Sequence, residues 1–407
     1  MRIEKLDDIG WGFNNINVSP SDINGRAIHI HRLFNIVVTG ESIYYPNTLL
    51  LSLGMENHLY NPINEVTMSL KDVASNTHFK LDVTHTELKR ETFFYFIYNT
   101  ENYFHFMYDA LPYLISYLKL RKLTPDVKLL MTYPNNIKKE LYPFVIETLK
   151  LLGITYNDIE FVKTGVHYKT VYVSSSYTHG IDSNLPPRNE VYELFNNIAK
   201  KSKVDESSTK KIYVSRRSWI HGDFSNIGTN YTTRRKMVNE DAFVEMLTEH
   251  GYVEVFPETM TMKEKISLFK NAEKVIGAFG GGICNVLFSK PSCELIAIAS
   301  PHFLNVNERF KFSLNQVNLK IFDDVKNVEN GEFKTYMRVK FGDIVGEINS
   351  IDGNMLTISY SETPISGWNN EVVYKTMVVD SKDCVKLDNG LNSPWEINLD
   401  KFKEKYL

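Results

Sequence analysis

The chain has 407 residues, 43% of them hydrophobic and 23% charged, with a formal net charge of −3. That balance fits a soluble globular protein of two domains or three small ones, and it excludes the global basic field that holds nucleic acid. No apolar run reaches the ~18 residues of a membrane-spanning helix, and Cys284, Cys293 and Cys384 lack both metal-ligand spacing and a disulfide framework, as in a reduced compartment.

The opening residues, MRIEKLDDIGWGF, contain no apolar core of a secretory signal, so a cytoplasmic location is expected. Residues 1–100 read as short strands and turns, with apolar runs at 27–30, 34–38 and 49–53 and an aromatic-rich buried strand at 91–98. A helix is expected over 102–120, where Phe106, Ala110, Leu114 and Leu118 share one stripe and Pro112 bends the axis. A strand at 127–131, a helix over 137–152 closed by Gly153, and strands at 159–162 and 170–174 complete a first α/β unit. Its alternation predicts a mostly parallel sheet. A loop at 178–188, a helix at 190–200 and a charged linker at 201–210 then mark the domain boundary.

The second half is more regular. A strand at 211–215 is followed by a helix at 239–250, with Phe243, Met246 and Leu247 on one face and Gly251 at its end. A strand at 253–256 leads to a helix opened by the capping box of Thr261 and Glu264, and further strands lie at 274–276 and 295–299. This is half of a doubly wound sheet, which binds ligands at the carboxyl ends of its strands. Residues 332–390 alternate apolar and polar around turns at Asp352-Gly353-Asn354 and Asp388-Asn389-Gly390, predicting a small antiparallel β element. The tail reads as a strand-like piece and a short helix over 399–406.

The first candidate for chemistry is the pair His105 and Asp109, four residues apart on one helix face. A carboxylate can orient an imidazole or raise its basicity, and the pair could remove a proton from a sugar hydroxyl. It could equally tie the helix to neighbouring backbone. The second is Ser215-Arg216-Arg217 at a strand end, followed by Arg234-Arg235. Guanidinium forks suit phosphate oxygens, although a solvated basic patch has the same pattern. The third is the turn Gly280-Gly281-Gly282, with a strand before it and a helix after it, a setting that suits phosphate. It is neither a Walker loop nor the spaced dinucleotide fingerprint. Asn285, just inside the helix, could bond a nucleotide or cap. No Asp-x-Asp triplet, His-x-x-x-His or Cys-x-x-Cys occurs, which favours a metal-free mechanism with no cofactor, arginine and helix dipole standing where a cation would.

The motif Asn102-Tyr103-Phe104-His105-Phe106-x-x-Asp109-Ala110-Leu111-Pro112 resembles that of the family 61 glycosyltransferases. So, in order, do Tyr213-Val214-Ser215-Arg216-Arg217, Arg235-Lys236-Met237-Val238-Asn239-Glu240, Phe256-Pro257-Glu258, and residues 277–282 with Asn285 and Leu287-Phe288. The similarity spans roughly residues 90–300, and Trp395-Glu396-Ile397-Asn398-Leu399-Asp400 resembles the family's C-terminal end.

The resemblance implies a GT-B-like α/β fold, two Rossmann-like halves facing across a cleft. Residues 1–205 would form the acceptor side, 206–325 with 391–407 the donor-binding domain, and 326–390 a β-rich insertion. It implies inverting, metal-independent transfer of a xylose- or N-acetylglucosamine-type sugar from a UDP-sugar to a glycan or glycoprotein. Ser215, Arg216, Arg217, Arg235, Asn239, Glu258, Phe279, Gly280, Gly281, Gly282 and Asn285 would then surround the donor, and Asp109 with His105 would deprotonate the acceptor. Two positions depart from the family pattern: Phe279 stands where a histidine is usual, and Lys265 where glutamine is frequent. Phe279 supports the alternative reading, a non-catalytic glycan- or protein-binding assembly protein that kept the fold. A nicotinamide-dependent oxidoreductase, the third reading, has the wrong glycine spacing. The β insertion is open to three roles: glycan contact, homodimer contact, or shield for the cleft.

Overall fold

The computed structural model describes residues 3–5, 28, 30–39, 42–45, 49–52, 87–96, 102–133, 140–163, 166–174, 176–178, 186–202, 209–217, 236–301, 308–328, 333, 337–361, 374–386 and 394–407. The expected boundary near residue 205 and the turn at Asp388-Asn389-Gly390 lie outside these residues.

The first sheet holds β1 (Ile3–Lys5), β2 (Ile30–Thr39), β3 (Ser42–Tyr45), β4 (Leu49–Ser52), β5 (Glu87–Tyr95), β6 (Lys128–Met131), β7 (Ile159–Phe161) and β8 (Val166–Ser174). Its order is β4-β3-β2-β8-β5-β6-β7, with β1 on β2. Strands β5, β6, β7 and β8 run parallel to their neighbours among themselves, whereas β1 to β4 pair antiparallel, as do β2 and β8. The sheet is thus mixed, not mostly parallel. The reason is connection length: two residues separate β2 from β3, and so short a link can only reverse the chain. Helices α1 (Tyr113–Leu123), α2 (Pro143–Leu151) and α3 (Asn189–Lys201) follow in this half. Gly153, just past α2, has φ of +74°, the left-handed stop expected there.

The second sheet is entirely parallel: β9 (Lys211–Val214), β10 (Val253–Val255), β11 (Lys274–Ala278), β12 (Glu294–Ile298) and β13 (Asn318–Phe322), in the order β10-β9-β11-β12-β13. Alternate residues serve opposite faces, the period of a pleated strand. Ile212, Val214, Val275, Leu295 and Ala297 belong to the core shared with the first sheet. Tyr213, Ile276, Ile296 and Ile298 instead face α4 (Glu240–Glu249) and, through Phe402, the C-terminal helix. Burial on both faces is the usual state of a parallel sheet. Helix α5 (Met262–Asn271) opens with the Thr261/Glu264 capping box, Glu264 N donating to Thr261 Oγ1 and Thr261 N to Glu264 Oε2.

Strand order in this sheet reverses between β9 and β11, because β10 lies on the far side of β9. Loops leaving the carboxyl ends of the two strands at such a switch point diverge and leave a crevice. The two sheets share one continuous core. Helix α3 bridges them: Phe195 meets Phe288 edge-on with centroids 5.6 Å apart, and Tyr192 Oη donates to the Phe312 carbonyl of α6 (Glu308–Phe312) at 2.8 Å.

Beyond β13, β14 (Val325–Asn327) pairs antiparallel with the last strand, Trp395–Ile397. Between them in sequence stands a separate antiparallel sheet of β15 (Arg338–Phe341), β16 (Ile344–Asp352), β17 (Met355–Ser361), β18 (Tyr374–Asp380) and β19 (Cys384–Lys386), with its own core around Val339, Ile348, Leu356 and Ile358. Its turn at Gly353, with φ of +56°, joins Asp352 to its partner Met355. Strand β20 (Trp395–Ile397) and helix α7 (Leu399–Tyr406) return to the second sheet, where Phe402 packs edge-on against Phe243.

Candidate active site

A cavity of about 420 Å³ opens where the two sheets meet, a size within the ~300–1,000 Å³ usual for small-molecule sites. The first half contributes Asn102, Tyr103, Phe104, His105, Phe144 and Glu147. The second half contributes Ser215, Arg216, Glu258, Lys265, residues 280–282, Asn285 and Phe310. Ser215 and Arg216 follow β9, Glu258 follows β10 and residues 280–282 follow β11, whereas Lys265 lies in the first turn of α5.

His105 reaches the wall on a widened turn. Residues His105–Ala110 form a π-helix, in which Leu111 N donates to the Phe106 carbonyl, five residues back. Pro112 carries no N–H for the Tyr108 carbonyl, so the ordinary ladder breaks here, and single π turns of this kind gather at functional sites. Asn102 starts the helix, its side-chain oxygen accepting from His105 N at 3.2 Å. His105 Nδ1 and Asp109 Oδ2 are 2.6 Å apart. The imidazole is 26% exposed and the carboxylate fully buried. The expected order is therefore reversed: Asp109 stands behind the ring and does not line the cavity. With Nδ1 committed to Asp109, proton transfer at this ring runs through Nε2.

Arg216 follows β9, with its guanidinium beside the glycine turn. A Cβ on Gly280 would lie 2.8 Å from Arg216 Nη1, so the close approach requires glycine. Gly281 faces Phe104, and a Cβ on Gly282 would meet Val214 Cγ1 at 2.8 Å, so these two serve packing as much as the cavity. Gly280→Ala is expected to keep the fold, because only the tip of a flexible side chain must move, yet to displace the guanidinium and weaken ligand binding by about tenfold. Gly277→Ala, whose Cβ would fall 2.6 Å from Ile283 Cγ2 and 3.0 Å from Val214 Cβ, should cost about 1–3 kcal/mol. Thermal melts and titration calorimetry separate the two outcomes.

The segment after the turn is a six-residue 3₁₀ helix, Ile283–Phe288, not the α-helix expected. It is too short to supply the helix-end field on which the sequence reading relied. Asn285, fully buried, donates from Nδ2 to the Gly282 carbonyl at 2.8 Å and accepts from the Tyr103 hydroxyl at 2.5 Å. It joins the two halves at the floor of the cavity.

Several predicted donor contacts are placed elsewhere. Arg217 turns to the opposite side from Arg216, its Nε and Nη2 gripping Glu254 at 2.6 and 2.7 Å and its Nη1 reaching Asp241 at 2.6 Å. These carboxylates hold the guanidinium above its ordinary range. Asn239 clamps β20, donating to the Ile397 carbonyl at 2.8 Å and accepting from Ile397 N at 3.2 Å. Phe279 is buried and does not face the cavity. Its ring meets Phe310 edge-on at 5.6 Å, and Phe310 in turn stacks on Phe104 at 4.5 Å. The aromatic ring that replaces the family's usual histidine thus supports the cavity wall from behind. Arg235 lies outside the described residues.

Two charged residues of the site, Glu240 at the end of the motif 235–240 and Lys265 at a position that departs from the family pattern, carry roles that their letters do not reveal. Glu240 accepts from Tyr213 Oη at 2.7 Å, Ser215 Oγ at 3.1 Å and Arg216 N at 2.9 Å, all on Oε1. Burial pushes its carboxyl up, against these donors, and lowers the Arg216 guanidinium. Ser215 is accordingly a positioning group whose hydroxyl is engaged by Glu240. Lys265 is the other, with its ammonium 4.5 Å from the centroid of Tyr103. Both lie on apolar stripes, Glu240 with Phe243, Val244 and Leu247, and Lys265 with Met262, Ile266 and Phe269. A charge on such a stripe was the available signal. Glu240→Ala should cost about 3 kcal/mol, since hydrogen bonds to charged groups are worth about 1.5–3 kcal/mol each. Glu240→Gln, which keeps an acceptor, should cost less than half as much by denaturant titration.

The family model for Glycosyltransferase 61 matches residues 103–296. Over that stretch the chain is similar to the glycosyltransferase 61 family. No match to the chain is found among curated proteins. The matched stretch begins at the turn bearing His105 and ends in β12, so it takes in the cavity lining except Asn102 and Phe310 and leaves out the separate β15–β19 sheet. The similarity suggests glycosyltransferase activity. The chain's mixed α/β architecture with parallel strands agrees with a Rossmann-like glycosyltransferase. Among the described residues, no helix is long and apolar enough to cross a membrane.

Proposed function

We propose that the cavity is the donor–acceptor site of an inverting, metal-independent transferase that uses a nucleotide sugar, UDP-linked in the first instance. The two sheets on either side of it are read as the halves of a GT-B arrangement. The observation that carries this is the meeting of His105, backed by Asp109, with Arg216 and Gly280 across one cavity.

Arg216 offers planar donors to the diphosphate, and Gly280 lets backbone and guanidinium come close together there. Glu240 holds the Arg216 backbone in place. From the first half of the chain, His105 accepts the acceptor's hydroxyl proton at Nε2 as that oxygen attacks the anomeric carbon. The bond from this carbon to the diphosphate oxygen breaks in the same displacement, and Arg216 stabilises the charge that departs. One displacement inverts the anomeric configuration. Asp109 keeps the imidazole in the tautomer that accepts at Nε2 and stabilises the imidazolium that forms. Arg216 supplies the positive charge that a divalent ion provides in other sugar transferases. The acceptor is read as a glycan or glycoprotein, and the sugar as xylose- or N-acetylglucosamine-type.

The rival reading, a non-catalytic assembly protein, rested on Phe279, which packs in the core behind Phe310. Incubation of the full chain with a panel of UDP- and GDP-sugars, with and without short glycans, tests the choice. Release of nucleoside diphosphate from at least one donor, lost in Arg216→Ala, is the expected outcome. Neither binding nor turnover of any donor would establish the rival.

A further inference from the structure

Helix α5 brings to the cavity wall a cation that sugar transfer as described does not yet need. Lys265, in the first turn of α5, is 5% exposed and lines the cavity. Among the described residues no carboxylate oxygen lies within ion-pair distance of its Nζ. Its direct partner is the face of the Tyr103 ring. The charged and titratable groups around it are Tyr103 just before the π-helix, Glu147 from α2, Glu258 from the turn after β10, Cys284 from the 3₁₀ helix and Glu264 on its own helix. Glu147 is held by Met262 N, which donates to its Oε2 at 2.6 Å. Burial lowers the Lys265 ammonium to about 8, against the opposing pull of Cys284 and the three carboxylates. A buried ammonium with only a ring for company is costly unless something further accepts its protons. The cavity is the open side from which an acceptor can come.

We propose that Lys265 is a ligand-contacting residue that receives an anionic oxygen of the bound molecule. This rests on the reading of the cavity as a nucleotide-sugar site. Two parts of such a ligand offer that oxygen: the diphosphate, or the carboxylate of an acidic sugar. Either contact is charge-assisted and replaces the acceptor that the protein itself withholds.

Calorimetric titration of the full chain and of Lys265→Gln with UDP, UDP-glucose and UDP-glucuronate at pH 8 tests this, in two buffers of different ionisation enthalpy. Lys265→Gln should weaken binding by about 10–100-fold. A diphosphate contact weakens all three ligands alike, and a carboxylate contact weakens UDP-glucuronate alone. The wild-type protein should also take up about half a proton on binding at pH 8, because an anion restores the proton that burial removes. That uptake should vanish in Lys265→Gln, a change that a purely structural lysine would not produce. A thermal melt at or above the wild-type temperature shows that the variant is folded. If wild type binds and Lys265→Gln binds within about twofold, or binds more weakly with proton uptake unaltered, the assignment of Lys265 is overturned and the donor reading stands. If wild type binds none of the three, both fall.

Discussion

His105→Ala is expected to lower the rate of sugar transfer by about 10²–10⁴-fold, the usual contribution of a general base. Donor affinity should stay within a few-fold, because the ring comes from the first half of the chain whereas Arg216 and Gly280 come from the parallel sheet. Asp109→Asn should act through the same ring. An asparagine amide facing Nδ1 donates where the carboxylate accepts, and the proton then sits on Nε2, where it blocks the base. The variant is nearly isosteric at a fully buried site, so its effect should appear in kcat while the donor KM holds. Equal loss of donor binding and turnover in His105→Ala would place this residue on the donor side instead.

The second large effect concerns stability. Lys265→Met should stabilise the folded chain at pH 7 by about 2 kcal/mol. The argument is linkage. The lysine titrates near 8 in the folded chain against 10.5 for an unburied one. That difference corresponds to about 3 kcal/mol of destabilisation at pH 7, of which the lost contact with the Tyr103 ring returns about 0.5–1 kcal/mol. The sign follows from proton counting. Below pH 8 folded and unfolded chains both carry the proton, and the folded state bears the whole cost. Between pH 8 and 10.5 the unfolded chain binds more protons, so wild-type stability gains from this group as pH rises. The advantage of Lys265→Met should therefore shrink by more than half between pH 7 and about 9.5. Urea titrations at the two values measure it. A destabilised variant at pH 7 would mean that the ammonium is satisfied within the folded chain.

The legible parts of the fold were those with a local cause. The parallel sheet could be read from strand–helix alternation and from glycines such as Gly251 that close its helices. The capping box at Thr261 and the turn at Gly353 are set by chemistry within four residues. The antiparallel half of the first sheet went unread, although the two-residue link between β2 and β3 was in plain view. The site was legible in residue type more than in direction. Arg216 and Arg217 are equivalent as letters, and only the point at which β9 ends decides which one enters the cavity. His105 and Asp109 were correctly paired, yet which faces solvent depends on the widened turn before Pro112. Asn239 had an equally good claim to a nucleotide until the return of β20 gave it a backbone partner 158 residues away. Lys265 and Glu240 sit on apolar stripes, where pattern reading records the stripe and passes over the charge.

The most direct test of the central claim is a crystal structure of the full chain soaked with an intact UDP-sugar. The diphosphate should lie against Arg216 and Gly280, with the anomeric carbon turned towards His105 at a distance that admits one hydroxyl. A nucleotide bound outside this cavity, or a sugar pointing away from His105, would contradict the account.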